Sequence, residues 1–252
     1  MLQLESQRVV LTGAAGGIGS LVALRLRQRG AHVTSVDRIA NLECEVSLIS
    51  DLADREALAE LAKALAERRV DILINLAGLQ YFGPLEHQGA DAIALGYAVN
   101  LVAPAILAGA AMPQMIERGL GQIVNIGSVM GAVPYPYFTA YSSAKAGLKG
   151  LSQALRRELT GRGVSVTHIA PRAVRTRFNT SAIEQFMAMT GMNADRPDVV
   201  ADRIVTAIVR RERDVSIGIA ERAFAQLNAA APGMIDRGLR RQIAAARSLF
   251  AN

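Results

Sequence analysis

Cysteine, histidine and lysine are scarce in this chain, and each shortage closes off a class of function. Cys44 is the one cysteine in 252 residues, which excludes an intrachain disulfide framework and a Cys-rich zinc site. His32, His87 and His168 stand far apart, so a His-based metal site is not expected either. Lys63, Lys145 and Lys149 are the only lysines, and the formal charge of +6 comes mostly from arginine. No long basic run and no aromatic-basic interleaving accompanies that charge, so no nucleic-acid partner is expected. Met1 to Arg8 lack the charged start, apolar stretch and cleavage site of a signal peptide, and a cytoplasmic protein is the expectation. Residues 92–116 carry no charge and are long enough to span a bilayer. Asn100, Pro104 and Gln114 interrupt that stretch and alanine dominates it, so it reads as a buried helix at the centre of a soluble domain.

What is present has a globular balance: 51% of the residues are apolar and 20% charged, enough apolar surface to exclude a disordered chain. Short apolar runs read as strands at Arg8–Thr12, His32–Val36, Glu45–Ser50, Asp71–Asn75, Gln122–Ile126, Val164–Ile169 and Val215–Ile219. Helical spacing falls between them, at Leu21–Arg29, Asp54–Arg68, the uncharged stretch, Ala140–Thr160 and Pro197–Val209. Continuous apolar strands alternating with helices predict an α/β fold of the doubly wound Rossmann type, with a parallel sheet of about seven strands. No repeat or linker interrupts the pattern, so one domain over 1–252 is expected.

Thr12-Gly13-Ala14-Ala15-Gly16-Gly17-Ile18-Gly19 joins the first strand to the first helix. Glycines there let the backbone approach a phosphate, and the helix N-terminus offers free N–H groups to a pyrophosphate. Asp37 closes the second strand about 20 residues on, where an acid accepts hydrogen bonds from an adenosine ribose and repels a 2′-phosphate. Arg38 beside it pulls the other way, because arginine pairs with that phosphate. The balance favours NAD over NADP. Tyr141 and Lys145 stand four apart on one helix face, and a nearby ammonium is expected to lower the tyrosine pKa. Ser128, thirteen residues earlier, offers a hydroxyl to a substrate oxygen.

Taken together these residues resemble the short-chain dehydrogenase/reductase family, in its branch of about 250 residues, over roughly residues 5–220. The T-G-x-x-x-G-x-G pattern appears as Thr12, Gly13, Gly17 and Gly19, and an adenine-side acid pair as Asp51-Leu52. Asn75-Leu76-Ala77-Gly78 resembles N-N-A-G with one substitution, Asn100 matches the helix asparagine, and Tyr141 to Lys145 is the Y-x-x-x-K. The resemblance implies an NAD(P)-dependent oxidoreductase interconverting a secondary alcohol and a ketone. Tyr141 would move the proton, Lys145 lower its pKa and hold the nicotinamide ribose, Ser128 polarise the substrate oxygen, and Asn100 hold a water behind Lys145. The implied cofactor-binding set is Gly13, Gly17, Ile18, Gly19, Asp37, Arg38, Asp51, Leu52, Asn75, Ala77, Gly78, Tyr141, Lys145, Pro171, Val174 and Thr176. A homodimer or homotetramer is implied as well, through the uncharged helix and the Tyr141 helix.

One departure stands out. Arg172 follows Pro171 where the family has glycine, and a left-handed backbone there would disfavour arginine. Arg172, Arg175 or Arg177 would meet an acidic group on the substrate, unless at least two of them face solvent, which is the favoured reading. The substrate flap is expected at about 177–195, where Ile183, Phe186, Met187, Met189 and Met192 suit a hydrophobic substrate, steroid-like, acyl or terpenoid. From Glu221 to Asn252 a tail carries Ile235, Leu239, Ile243, Ala246 and Phe250 at helical spacing, after Pro232-Gly233. Docking on the core is favoured over a membrane contact for this tail. The competing functions are a reductase of carrier-bound acyl chains, a non-catalytic dinucleotide-binding regulator, and a membrane-peripheral lipid-binding protein.

Overall fold

A computed structural model describes residues 2–41 and 43–251; Met1, Leu42 and Asn252, the outer two being the bounds of the expected domain, lie outside the described residues. Seven parallel strands form one sheet in the order β3-β2-β1-β4-β5-β6-β7. They are β1 (Arg8–Thr12), β2 (His32–Asp37), β3 (Val46–Ile49), β4 (Ile72–Asn75), β5 (Gly121–Ile126), β6 (Val164–Ala170) and β7 (Asp214–Ser216). All residues of β4 and β5 are buried, because helices cover both faces of the sheet. The order reverses between β1 and β4, so the loops leaving these strands diverge and open a cleft at their carboxyl ends.

The helices are α1 (Gly19–Arg27), α2 (Arg55–Glu67), α3 (Ala90–Tyr97), α4 (Ala103–Glu117), α5 (Thr139–Glu158), α6 (Ser181–Thr190), α7 (Pro197–Val209), α8 (Ile219–Ala230), α9 (Pro232–Gly238) and α10 (Arg240–Leu249). On one face α1 and α7 bury Val22, Leu26, Ile204 and Ile208 against the sheet. On the other, α2, α4 and α5 bury Leu61, Leu65, Leu107, Met115 and Leu155. Each buried leucine contributes about 2 kcal/mol. The start of α2 is fixed by Asp54, whose carboxylate accepts from the N–H groups of Glu56 and Ala57 at 2.9 Å each. Pro197 starts α7 at a position whose N–H needs no partner.

Three expectations change. The uncharged helix is not enclosed: Ala103, Leu107, Ala111 and Met115 face the core, while Leu95, Val102 and Ile106 are exposed. A helix in the outer layer of a three-layer domain buries only one side. The seventh strand ends at Ser216, and Gly218 at φ +116° turns the chain into α8 before Ile219. The helix expected after Pro232-Gly233 is two, α9 and α10, broken at Leu239.

The candidate active-site cleft

Along the carboxyl ends of the strands runs a cavity of about 540 Å³. Its first wall is the glycine loop. Gly13 has φ +72°, and a Cβ there would lie 2.7 Å from the backbone of Ala77. A Cβ on Gly17 would lie 2.9 Å from Thr176 Cγ2. Both glycines therefore let the loop lie flat against its neighbours and leave the cleft floor to backbone. The Thr12 hydroxyl accepts from the N–H groups of Leu76 and Ala77, at 3.1 and 3.2 Å, and locks the next strip of floor. The Asp37 carboxylate sits at the far end, accepting from Ala15 N–H at 2.9 Å and Arg38 N–H at 2.8 Å. Asn41, which sequence reasoning missed, donates to the Ala14 carbonyl at 2.9 Å from the same side. A lone asparagine in a loop gave no signal of that bond. The cradle suits a dinucleotide: glycine backbone for the pyrophosphate at the head of α1, and a carboxylate for the ribose.

The opposite end carries the polar chemistry. Ser128 ends the run from β5, and Tyr141 and Lys145 project from the first turns of α5 into the same cavity. Lys145 is buried, and its ammonium donates to the Ile126 carbonyl at 3.0 Å and lies 5.8 Å from the centre of the Tyr141 ring. Burial pushes its pKa down to about 8. The expected lowering of the Tyr141 pKa is overturned in this structure. Burial pushes the phenol up to about 12, and what holds it down is a hydrogen bond with Ser128 rather than the lysine. Beneath an aromatic face, an ammonium that is itself desolvated and tied to a carbonyl has little hold on the phenol oxygen.

Asn100 lies in a single π-helical turn, Ala98–Val102, between α3 and α4. Its amide donates to the carbonyls of Leu79, at 2.7 Å, and Gly96, at 2.8 Å, and accepts from Leu79 N–H at 3.2 Å. The side chain clamps the strip after β4, and its Oδ1 faces the same space as the Lys145 ammonium: a Cβ on Gly78 would lie 3.0 Å from one and 3.5 Å from the other. Asn75 is also redirected. It is buried off the cleft wall and donates to Asn125 Oδ1 at 2.9 Å, and Asn125 in turn donates to Ser152 Oγ at 2.9 Å. Its role is to tie β4, β5 and α5 together. Gly19 does not line the cleft; a Cβ there would lie 2.0 Å from the Gly13 carbonyl oxygen, so it is needed to seat α1. Gly13, Gly17, Ile18, Asp37, Arg38, Asp51, Leu52, Ala77, Gly78, Pro171, Val174 and Thr176 all line the cavity with Ser128, Tyr141 and Lys145.

Beyond Tyr141 the cavity turns apolar, lined by Leu79, Leu95, Val99, Met130, Phe138, Ile183, Phe186, Met187 and Met192. Phe178 stands with its ring 6.4 Å from that of Tyr141, and Gln80 crosses the mouth to donate to the Phe178 carbonyl at 2.8 Å. Arg172 has no left-handed backbone, so the loop accepts it without strain. Its guanidinium is engaged by Asp195, at 2.8 and 2.7 Å, and by Glu221 of α8 at 3.3 Å. Arg175 and Arg177 are exposed. The tail docks on the flap: Ala245 and Ala246 of α10 pack with Ile183 and Phe186, and Phe250 stacks on Tyr137 at 5.7 Å.

The short chain dehydrogenase family model matches residues 7–186, the stretch that holds the glycine loop, Ser128, Tyr141 and Lys145. The chain belongs to this family. Over 190 residues it is 31% identical to a short chain dehydrogenase of Pseudocercospora fijiensis, covering 69% of this chain and 62% of that protein's length. It is similar to a short-chain dehydrogenase from Sphingobium yanoikuyae solved in complex with NADPH, with a TM-score of 0.76, 30% identity, and 91% and 95% of the two chains covered. It is also similar to a 4-hydroxyisoleucine dehydrogenase complexed with NADH, with a TM-score of 0.76, 26% identity, and 84% and 97% covered. As a short-chain dehydrogenase/reductase, the protein is an NAD(P)-dependent oxidoreductase.

Proposed function

We propose that the protein reduces a neutral, largely apolar ketone to a secondary alcohol, with NADH as the preferred cofactor. The observation that carries this reading is the junction of two surfaces in one cleft: the Ser128–Tyr141–Lys145 wall and the apolar flap side. Bound nicotinamide supplies the hydride. The chain's own residues hold the substrate oxygen and deliver the proton. Ser128 donates to the carbonyl oxygen as negative charge develops there. Tyr141 carries its proton across the neutral range, because its pKa stands at about 12, and a donor to a carbonyl needs that state. Lys145, protonated below about pH 8 and tied to the Ile126 carbonyl, would hold the nicotinamide ribose at the same wall. The flap excludes water from the apolar end.

Asp37 supports NADH, since its carboxylate is fixed at the ribose end by two backbone N–H groups and repels a 2′-phosphate. The pairing of Arg172 with Asp195 and Glu221 supports a neutral substrate, because that cation is already satisfied. Exposed Val102 of the π-helical turn and Ile106 of α4 support assembly with a second copy. Exposed Arg175 and Arg177 beside the flap favour a second reading, in which the ketone arrives on an acidic carrier. Wild-type protein with NADH, offered a panel of cyclic and long-chain ketones, should consume nicotinamide absorbance, and Tyr141→Phe should not. Turnover confined to carrier-bound ketones, with KM rising steeply with salt, would select the second reading.

A further inference from the structure

His168 is a buried titratable side chain that the chemistry above leaves unused. It sits near the end of β6, paired in register with Asn125 of β5, and is 3% exposed. One ring nitrogen, Nδ1, lies 3.6 Å from Asp214 Oδ1 on β7. The other, Nε2, is buried and has no hydrogen-bond partner among the described residues. It points at Gly127. A Cβ on Gly127 would lie 2.2 Å from Nε2, with the ring carbons Cε1 and Cδ2 at 3.0 and 3.2 Å. The edge of the imidazole thus fills the space that any other residue at 127 would need.

Gly127 immediately precedes Ser128, and this segment runs along the extension of β6. Gly127 N–H donates to the Ile169 carbonyl at 2.7 Å, and Val129 N–H to the Pro171 carbonyl at 3.0 Å. Those bonds fix the segment within the sheet plane, and the imidazole edge limits its movement out of that plane. The Ile126 carbonyl, one residue back, is the acceptor that holds Lys145. We propose that His168 is a positioning residue: its imidazole, seated against Gly127, sets the height of the Ser128 hydroxyl and of the Ile126 carbonyl over the sheet. The charged groups around it are Asp214 on β7 and Lys145, Lys149 and Arg156 on α5. Burial, helped by the three cations and opposed by Asp214, keeps the ring neutral, which suits a spacer.

The inference rests on the reductase reading, and the experiment separates the two. Gly127→Ala, His168→Ala, His168→Gln and the Gly127→Ala/His168→Ala double variant would be compared with wild type on a ketone that wild type reduces. Displacing an aligned group by about 1 Å costs up to roughly a hundred-fold in turnover. Gly127→Ala should therefore lose about ten- to a hundred-fold in kcat, with ketone KM and NADH affinity nearly unchanged. The double variant should recover most of that loss, because the added methyl then has room. His168→Ala should lower kcat on its own, and His168→Gln should retain more of it. Unchanged kcat in both His168 variants, or a double variant no better than Gly127→Ala, overturns the proposal; the His168 variants decide it even if Gly127→Ala fails to fold. A wild type that reduces no ketone counts against the functional reading alone. Crystal structures of the His168 variants then decide: Ser128 moved in His168→Ala and restored in His168→Gln supports the positioning role, and Ser128 in place in both refutes it.

Discussion

Replacing His168 with glutamine, and lowering the pH from about 7.5 to 5, measures how strongly this one imidazole couples folding to protons. Burial pushes its pKa down to about 4 from an ordinary 6.5; Lys149, Lys145 and Arg156 push the same way, and Asp214 opposes them. Above pH 6.5 the ring is neutral whether the chain is folded or not, and its contribution is complete. As the pH falls from 6.5 toward 4, the unfolded chain takes up a proton that the folded one refuses, and stability is lost. At 1.36 kcal/mol per pKa unit, the loss is about 2 kcal/mol at pH 5 and about 3 kcal/mol at pH 4. That is a sizeable part of a stability of roughly 5–15 kcal/mol. Urea unfolding of both proteins at the two pH values gives the comparison, with m checked for constancy. Carboxylates such as Glu212, held low by Arg203, titrate in both proteins and cancel in the difference. Wild type should lose about 2 kcal/mol more than His168→Gln. Equal losses would refute the view that the ring is neutral and sealed.

Other perturbations follow from the same geometry. Tyr141→Phe should cut ketone reduction by about 10²- to 10⁴-fold while NADH still enhances its fluorescence on binding, because the cradle is untouched. Gly17→Val should weaken NADH binding by at least about a hundred-fold, since its Cβ would press on Thr176 from 2.9 Å; binding within two-fold of wild type would contradict the close packing. Arg172→Ala should remove the cation that joins Asp195 to Glu221 and make the flap at about 177–195 more sensitive to protease, and an unchanged digestion pattern would show that the ion pairs do not hold it. Phe250→Ala removes the ring stacked on Tyr137 and set 5.2 Å from Phe82, so ketone KM should rise and thermal stability fall by a few degrees.

The sheet was legible because its central strands are buried on both faces. Ile72-Leu73-Ile74-Asn75 and Gln122-Ile123-Val124-Asn125-Ile126 have no polar alternation to mislead, and α2 advertises its start with Asp54 and its core face with Leu58, Leu61 and Leu65. Ser128, Tyr141 and Lys145 could be placed on one wall from their order and spacing. What spacing cannot convey is which atom a side chain finally meets. Asn75 looked like a cleft residue and is spent on Asn125, and Arg172 looked free and is held by two acids more than 20 residues away. The lysine was expected to govern the tyrosine, yet desolvation, a property of the packed site, outweighs it. The Gly127–His168 contact joins residues 41 positions apart through an absent side chain, so neither residue signals it alone.

The most direct test of the account is a fluorescence titration of the wild-type protein with NADH and with NADPH, which needs no knowledge of the substrate. The glycine cradle and the fixed Asp37 carboxylate predict saturable NADH binding, tighter than NADPH by roughly ten-fold or more, a difference of about 1.4 kcal/mol. NADPH binding as tight as NADH would show that Arg38 offsets Asp37, and tighter binding that it outweighs it. Binding of neither nucleotide would contradict the central claim that this cleft is built around a nicotinamide dinucleotide.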